Sequence, residues 1–130
     1  MPELRLRELS QYRLERAEAM LLSARRDSAA GDYASANNRA YYCIFHAMRA
    51  VLALDNADFK KHAAVIARFG QEYLKTGRID RAFGALITTA SLIRNRSDYE
   101  DFYICSIEET ERLLMGANHF LVAVREFLER

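Results

Sequence analysis

Eight consecutive residues, Arg94-Asn95-Arg96-Ser97-Asp98-Tyr99-Glu100-Asp101, bring together two guanidiniums, an amide, a hydroxyl, three carboxylates and a phenol. They follow an uncharged stretch, Phe83 to Ile93, which reads as a buried helix that ends where the charges begin. Arginine beside aspartate can form bidentate, charge-assisted hydrogen bonds, and the same fork fits a phosphate. Two readings follow. Either a helix end ties its arginines to Asp98 and Asp101, or the run builds an anion- or phosphate-binding corner. A second polar set lies upstream, where Asn38, Arg39, Tyr42, His46 and Arg49 share one stripe of a helix at 100° per residue. Taken singly, His46 reads as a hydrogen-bonded surface or interface histidine. The stripe as a set must face either solvent or a buried polar site.

The elements that position these groups are helical throughout. One proline and five glycines leave few breakers, and no segment alternates like a strand. A first helix is expected over 3–29, with Leu14, Ala17, Met20, Leu21 and Ala24 inward and Arg13, Glu15, Arg16, Glu18, Arg25 and Arg26 outward. Gly31 should end it and Asp32 should N-cap the next helix. The second helix, about 33–54, has a broad apolar face from Tyr41 to Leu52. Ala36, Ala40, Cys43, Ala47 and Ala50 make a side of small residues that permits close approach, so it should be the central helix. A connector, 55–60, leads to a third helix, about 61–75, that closes at Gly77. A fourth, about 79–95, delivers the Arg94 corner. Ser106-Ile107-Glu108-Glu109 has the capping-box form and opens a last helix to about Phe127. The fold class is all-α: a single domain, 1–130, forming an antiparallel bundle of about five helices.

Composition removes several classes of function. Lys and Arg number 19 against 18 Asp and Glu, a net charge of +1, so no global basic footprint draws the chain to nucleic acid. Any such contact must be local. Cys43 and His46 lie one helical turn apart, but no second Cys/His pair completes a tetrahedral metal set. No glycine-rich phosphate loop, nucleophile setting or di-iron glutamate pattern is present, and no cofactor is expected. The start lacks an apolar signal region and no uncharged apolar run reaches membrane-span length, so a cytoplasmic protein with reduced thiols is expected. Phe102, Tyr103 and Phe120 are expected to face a partner.

The ordered set Asn38 to Ala47 (NRAYYCIFHA), Arg49 to Leu52, Lys60-Lys61-His62, Phe69, Lys75-Thr76-Gly77, and Arg94 with Asp98-Tyr99 resembles the HEPN domain family. The likeness runs from about Leu14 to Phe127, and the small stand-alone bacterial and archaeal members are most similar. It implies a helical homodimer whose Arg motifs meet at the interface. It also implies a minimal nucleotidyltransferase as partner in a toxin–antitoxin or nucleotide-responsive module. Many members are metal-independent ribonucleases whose motif is Arg, a polar residue, then His four to six residues on.

Arg94 and Asn95 match the start of that motif, but the positions expected to carry His hold Tyr99, Glu100 and Asp101. Tyrosine near ~10 and aspartate near ~3.9 titrate about three units from the pKa that suits proton transfer at neutral pH. The resemblance thus implies a subunit that binds nucleotide or RNA phosphate through Asn38, Tyr42, His46, Arg94, Arg96 and Asp98. As an enzyme, it would be a ribonuclease acting through Arg94, Asn95 and Tyr99, with His46 the nearest histidine to stand in. As neither, it would be a dimeric scaffold. In such modules the partner can add AMP to a tyrosine just after the Arg motif, which points to Tyr99 or Tyr103. The other reading makes both rings core or interface aromatics.

Overall fold

The computed structural model describes residues 2–130. The fold is all-α, as the sequence predicts. It comprises α1 (Pro2–Ala29), α2 (Tyr33–Ala53), α3 (His62–Phe69) running into a π-helical turn (Gly70–Leu74), α4 (Phe83–Tyr99) and α5 (Ile107–Leu128). The punctuation follows local chemistry. Gly31, at φ +81°, closes α1 in a Schellman arrangement, with Asp32 N–H donating to Asp27 C=O at 2.8 Å and Gly31 N–H to Ser28 C=O at 3.0 Å. Asp32 then accepts from Ser35 N–H at 3.2 Å and starts α2. Ser106 accepts from Glu109 N–H at 3.1 Å. The return half of that capping box is not made, because the Glu109 carboxylate takes the Tyr103 hydroxyl instead, at 2.8 Å.

α2 is the axis of the bundle and packs against α1, α3, α4 and α5. From Ala40 to Ala53 only Tyr42 and Arg49 escape full burial. Its small side (Ala36, Ala40, Cys43, Ala47, Ala50) and Ala17 and Ala24 of α1 have no accessible surface at all. Such backbone proximity tolerates nothing larger than a methyl group. The larger side chains Tyr41, Ile44, Met48, Val51 and Leu52 fill the core with Phe69, Tyr73, Phe120 and Val124.

Three expectations are corrected. α4 starts and ends four residues later than the 79–95 expected, so Arg94 to Asp98 lie within the helix and not beyond it. The charged run continues the helix because it supplies the i,i+4 pairs Arg94–Asp98 and Arg96–Glu100. Its Ser97 and Asp98 also meet asparagines on α2. Ile79 is buried but precedes the helix, in a turn where its N–H donates to Tyr73 C=O at 3.0 Å. Arg13, expected outside, is buried: it donates to Arg49 C=O at 3.1 Å and lies 3.3 Å from Asp58. Phe120, expected at a partner surface, is wholly buried against Phe69 and Phe83.

Ala47→Leu should therefore destabilise the fold by about 1–3 kcal/mol through overpacking. Thermal unfolding followed by circular dichroism should record a Tm lower by several degrees; an unchanged Tm would mean that α2 is not held at the spacing described.

Candidate functional site

Where α4 crosses α2, the Arg94 guanidinium lies over the Tyr41 ring at 4.7 Å and within 5.7 Å of the Tyr42 ring. Only 14% of its side chain is exposed. Its nearest carboxylate oxygen, on Asp98, is 3.9 Å away, beyond hydrogen-bond reach, and its buried Nε has no partner. Asp98 is held elsewhere: Asn38 Nδ2 donates to it at 2.8 Å, and Arg39 donates to Asn38 Oδ1 at 2.6 Å. The next α2 residue inward, Asn37, donates to Ser97 at 3.1 Å. Cation, ring and carboxylate are thus fixed by two helices, while most of the guanidinium's donors remain uncommitted.

Beneath Arg94, the Tyr41 hydroxyl is 2.9 Å from Nδ1 of His62, the first residue of α3. The His62 ring stacks on Phe45 with centroids 4.1 Å apart and meets Tyr42 edge-on at 5.7 Å. Partial burial lowers the His62 pKa, and the charges of Arg94 and Arg49 lower it further, which favours a neutral ring. Burial also raises the Tyr41 phenol, and Arg94 partly offsets that. His62 forms one edge of a cleft of about 450 Å³, whose other walls are Phe45, Arg49, Asp58, Phe59 and Lys60. Arg49 donates to Asp58 at 3.1 Å, and with Arg13 it clamps the connector that carries Lys60. The Asp58 carboxyl is thereby lowered, since the bond from Arg49 and the two positive charges outweigh its slight burial.

The sequence-derived candidates separate in space. Asn38, Tyr42, Arg94 and Asp98 do meet. Asn95 and Tyr99, one turn apart on α4, are exposed on its outer side, and Tyr99 is 75% accessible. Arg96 pairs loosely with Glu100 at 3.9 Å. Tyr103 is half-buried, and burial together with its bond to Glu109 pushes its hydroxyl up to about 12. His46, expected as the histidine nearest Arg94, lies beside Tyr42 and Phe45, with ring centroids 6.0 and 5.9 Å away, and in the field of Arg16, Arg49 and Arg13, with Nδ1 buried and unpaired. Burial, then those charges, bring it down to about 4. Cys43 is buried with its thiol pushed up to about 12, an inert core residue. Sequence reasoning named His62 only within the ordered set of the resemblance and did not assign it to the site. Its signal was its place in that set, directly after Lys60-Lys61.

Among the described residues, no three His, Cys, Asp or Glu side chains come together as a metal site, and no helix is long and apolar enough to cross a membrane. The sequence model of the HEPN domain matches residues 10–127. A Methanocaldococcus jannaschii protein, named as a candidate toxin, is 34% identical over 95% of this chain and 92% of its own length. A second candidate toxin of that organism is 29% identical over 97% of this chain and 86% of its own. A UPF0332 protein of Thermotoga maritima is 30% identical over 73% of this chain and 72% of its own.

The lowered pKa of His46 makes stability depend on pH. The unfolded chain protonates this ring below about 6.5 and the folded chain only below about 4. Stability is therefore lost as pH falls through that interval, and His62 adds in the same sense. From pH 7 to pH 5, above the carboxylate range, His46 should remove about 2 kcal/mol. Urea unfolding should show the loss, and His46→Gln should flatten it; an equal slope in the variant would refute the assignment.

Proposed function

The chain belongs to the HEPN domain family, and on that premise we propose that it is a toxin-like HEPN subunit that holds a nucleotide or RNA phosphate at Arg94. One observation carries this reading: a guanidinium held on two aromatic rings, mostly buried, with its donors unspent and the cleft of Arg49, Lys60 and His62 close by. Burying such a cation without a full set of acceptors costs several kcal/mol unless something completes it. A phosphate supplies both the charge and the acceptor geometry. The names of the two Methanocaldococcus relatives support the toxin-like part.

The partners of this reading are a second copy and a minimal nucleotidyltransferase. Support for the second copy comes from α4, α5 and the segment between them, which expose Leu92, Tyr99, Phe102, Ile104, Ile107 and Met115. Phe102 is fully accessible at φ +60°, a conformation costly for an aromatic residue. Exposed apolar side chains on two successive helices and their connector suit an isologous contact. It would bring the α4 helices of two subunits together. Support for the nucleotidyltransferase comes from Tyr99, an accessible phenol one residue beyond Asp98. ATP could transfer AMP to its hydroxyl with release of pyrophosphate. Tyr103, already donating to Glu109, is the poorer acceptor.

Three measurements test this. Arg94→Ala should weaken binding of a single-stranded oligonucleotide at least tenfold with Tm changed by only a few degrees; unchanged binding would relegate Arg94 to a structural role. Light scattering should give about twice the 15.0 kDa chain mass, and a clean monomer would remove the shared interface. Incubation with a minimal nucleotidyltransferase encoded beside this chain and ATP should add one AMP, and the addition should vanish in Tyr99→Phe but persist in Tyr103→Phe; no addition would remove this partner from the reading.

A further inference from the structure

We propose that the cleft between α2 and the start of α3 is a binding site for a small aromatic monocarboxylate, an acid with a flat ring and a short tail. This goes beyond the phosphate-binding reading and does not rest on it, since the ligand lies in the cleft and not on Arg94. The cleft encloses about 450 Å³ between Phe45, Arg49, Asp58, Phe59, Lys60 and His62. Pockets for small organic ligands run from roughly 300 to 1,000 Å³, with aromatic walls and a few polar groups that set orientation. This cleft has that make-up near the small end of the range, which suits a compound of one or two rings.

The aromatic walls are held from behind. Phe45 is buried in α2, and His62 stacks on it with centroids 4.1 Å apart. His62 and Phe59 are each half-buried, so both keep accessible ring surface. Phe59 packs against the core from the connector. Arg13 and Arg49 grip Asp58 at 3.3 and 3.1 Å and so fix the segment that carries Phe59 and Lys60. Partial burial, then the charges of Arg94 and Arg49, favour a neutral His62, which therefore adds ring surface without adding charge. A flat ring that enters here sheds water onto walls already in place.

Charge selects the tail. Among the groups that line the cleft, Arg49 and Lys60 outnumber Asp58 by one positive charge. Asp58 is taken up by the two arginines, whereas Lys60 makes no ion pair among the described residues. The buried Nε of Arg49 also lacks a partner. Lys60 and His62 flank Lys61, the N-cap of α3, whose side chain makes no capping bond. The first N–H groups of α3 therefore add donors beside Lys60 for the same carboxylate. One negative charge matches this excess. A phosphate dianion would set its second charge against Asp58.

The test titrates the intact protein with three acids of this class, benzoate, 3-phenylpropionate and indole-3-acetate. Indole-3-acetamide, acetate and inorganic phosphate are titrated in parallel. At least one acid should bind at or below millimolar concentration, and the ring resonances of His62 and Phe59 should shift in wild-type protein, a reading that needs no variant to fold. For indole-3-acetate, loss of the tail charge in the amide, or of Lys60 in Lys60→Gln, should each weaken binding about tenfold. Lys60 is exposed, so that variant should keep its fold. Phe59→Leu should weaken acid and amide alike. The assignment is overturned if no acid binds, if the amide binds as tightly as the acid, or if Lys60→Gln leaves acid binding unchanged. It is also overturned if His62 stays unmoved, or if inorganic phosphate displaces the acid. None of these results touches the Arg94 reading, which stands or falls on the oligonucleotide measurement with Arg94→Ala.

Discussion

The seat of Arg94 on Tyr41 is the contact on which the site depends. A guanidinium over an aromatic face gains about 0.5–2 kcal/mol and, unlike an ion pair, consumes none of its hydrogen-bond donors. α4 can thereby dock a charge against the central helix without neutralising it. Asp98 lies close enough to lower the electrostatic cost, yet it is turned toward Asn38 and lies 3.9 Å from the guanidinium. Had the two formed a bidentate pair within α4, the cation would be unavailable. The same tyrosine reaches His62 with its hydroxyl, so one ring of α2 aligns residues from α3 and α4.

Much of the architecture was legible in the sequence because periodicity and caps are local properties. The α2 pattern of alanines opposite large apolar residues marked the central helix. Gly31-Asp32 and Ser106 marked ends that hydrogen bonds do close. The ends of α4 were not legible. Hydrophobicity stops at Ile93, but the helix does not, because Ser97 and Asp98 find polar partners on α2 that only the tertiary fold supplies. Phe120 and Arg13 fail for a related reason: each side chain goes inward to partners distant in sequence, Phe69 and Phe83 for one and Asp58 for the other.

The histidines show why the site was half legible. His46 shares a helical stripe with Asn38 and Tyr42, and periodicity assigned it to the site. The stripe curves around α2, however, and its lower end turns toward the arginines of α1. His62 shares no periodicity with Arg94, being 32 positions before it in the chain. Its relation to the site arises from the stacking of Phe45, Tyr41 and His62, three rings from two helices.

The connector between α2 and α3 is pinned at both ends. Tyr73 donates to Asp55 near its beginning, and Arg13 and Arg49 grip Asp58 just before Lys60 and His62. A free loop of this size would sample many shapes and would surrender that freedom on meeting a ligand, at a cost near 1–2 kcal/mol per residue fixed. Here that disorder has been given up during folding. The cleft wall is thus set before any ligand arrives. A molecule taken up there would meet no slow rearrangement, so selectivity among candidates should lie in how long each stays and not in how fast it arrives.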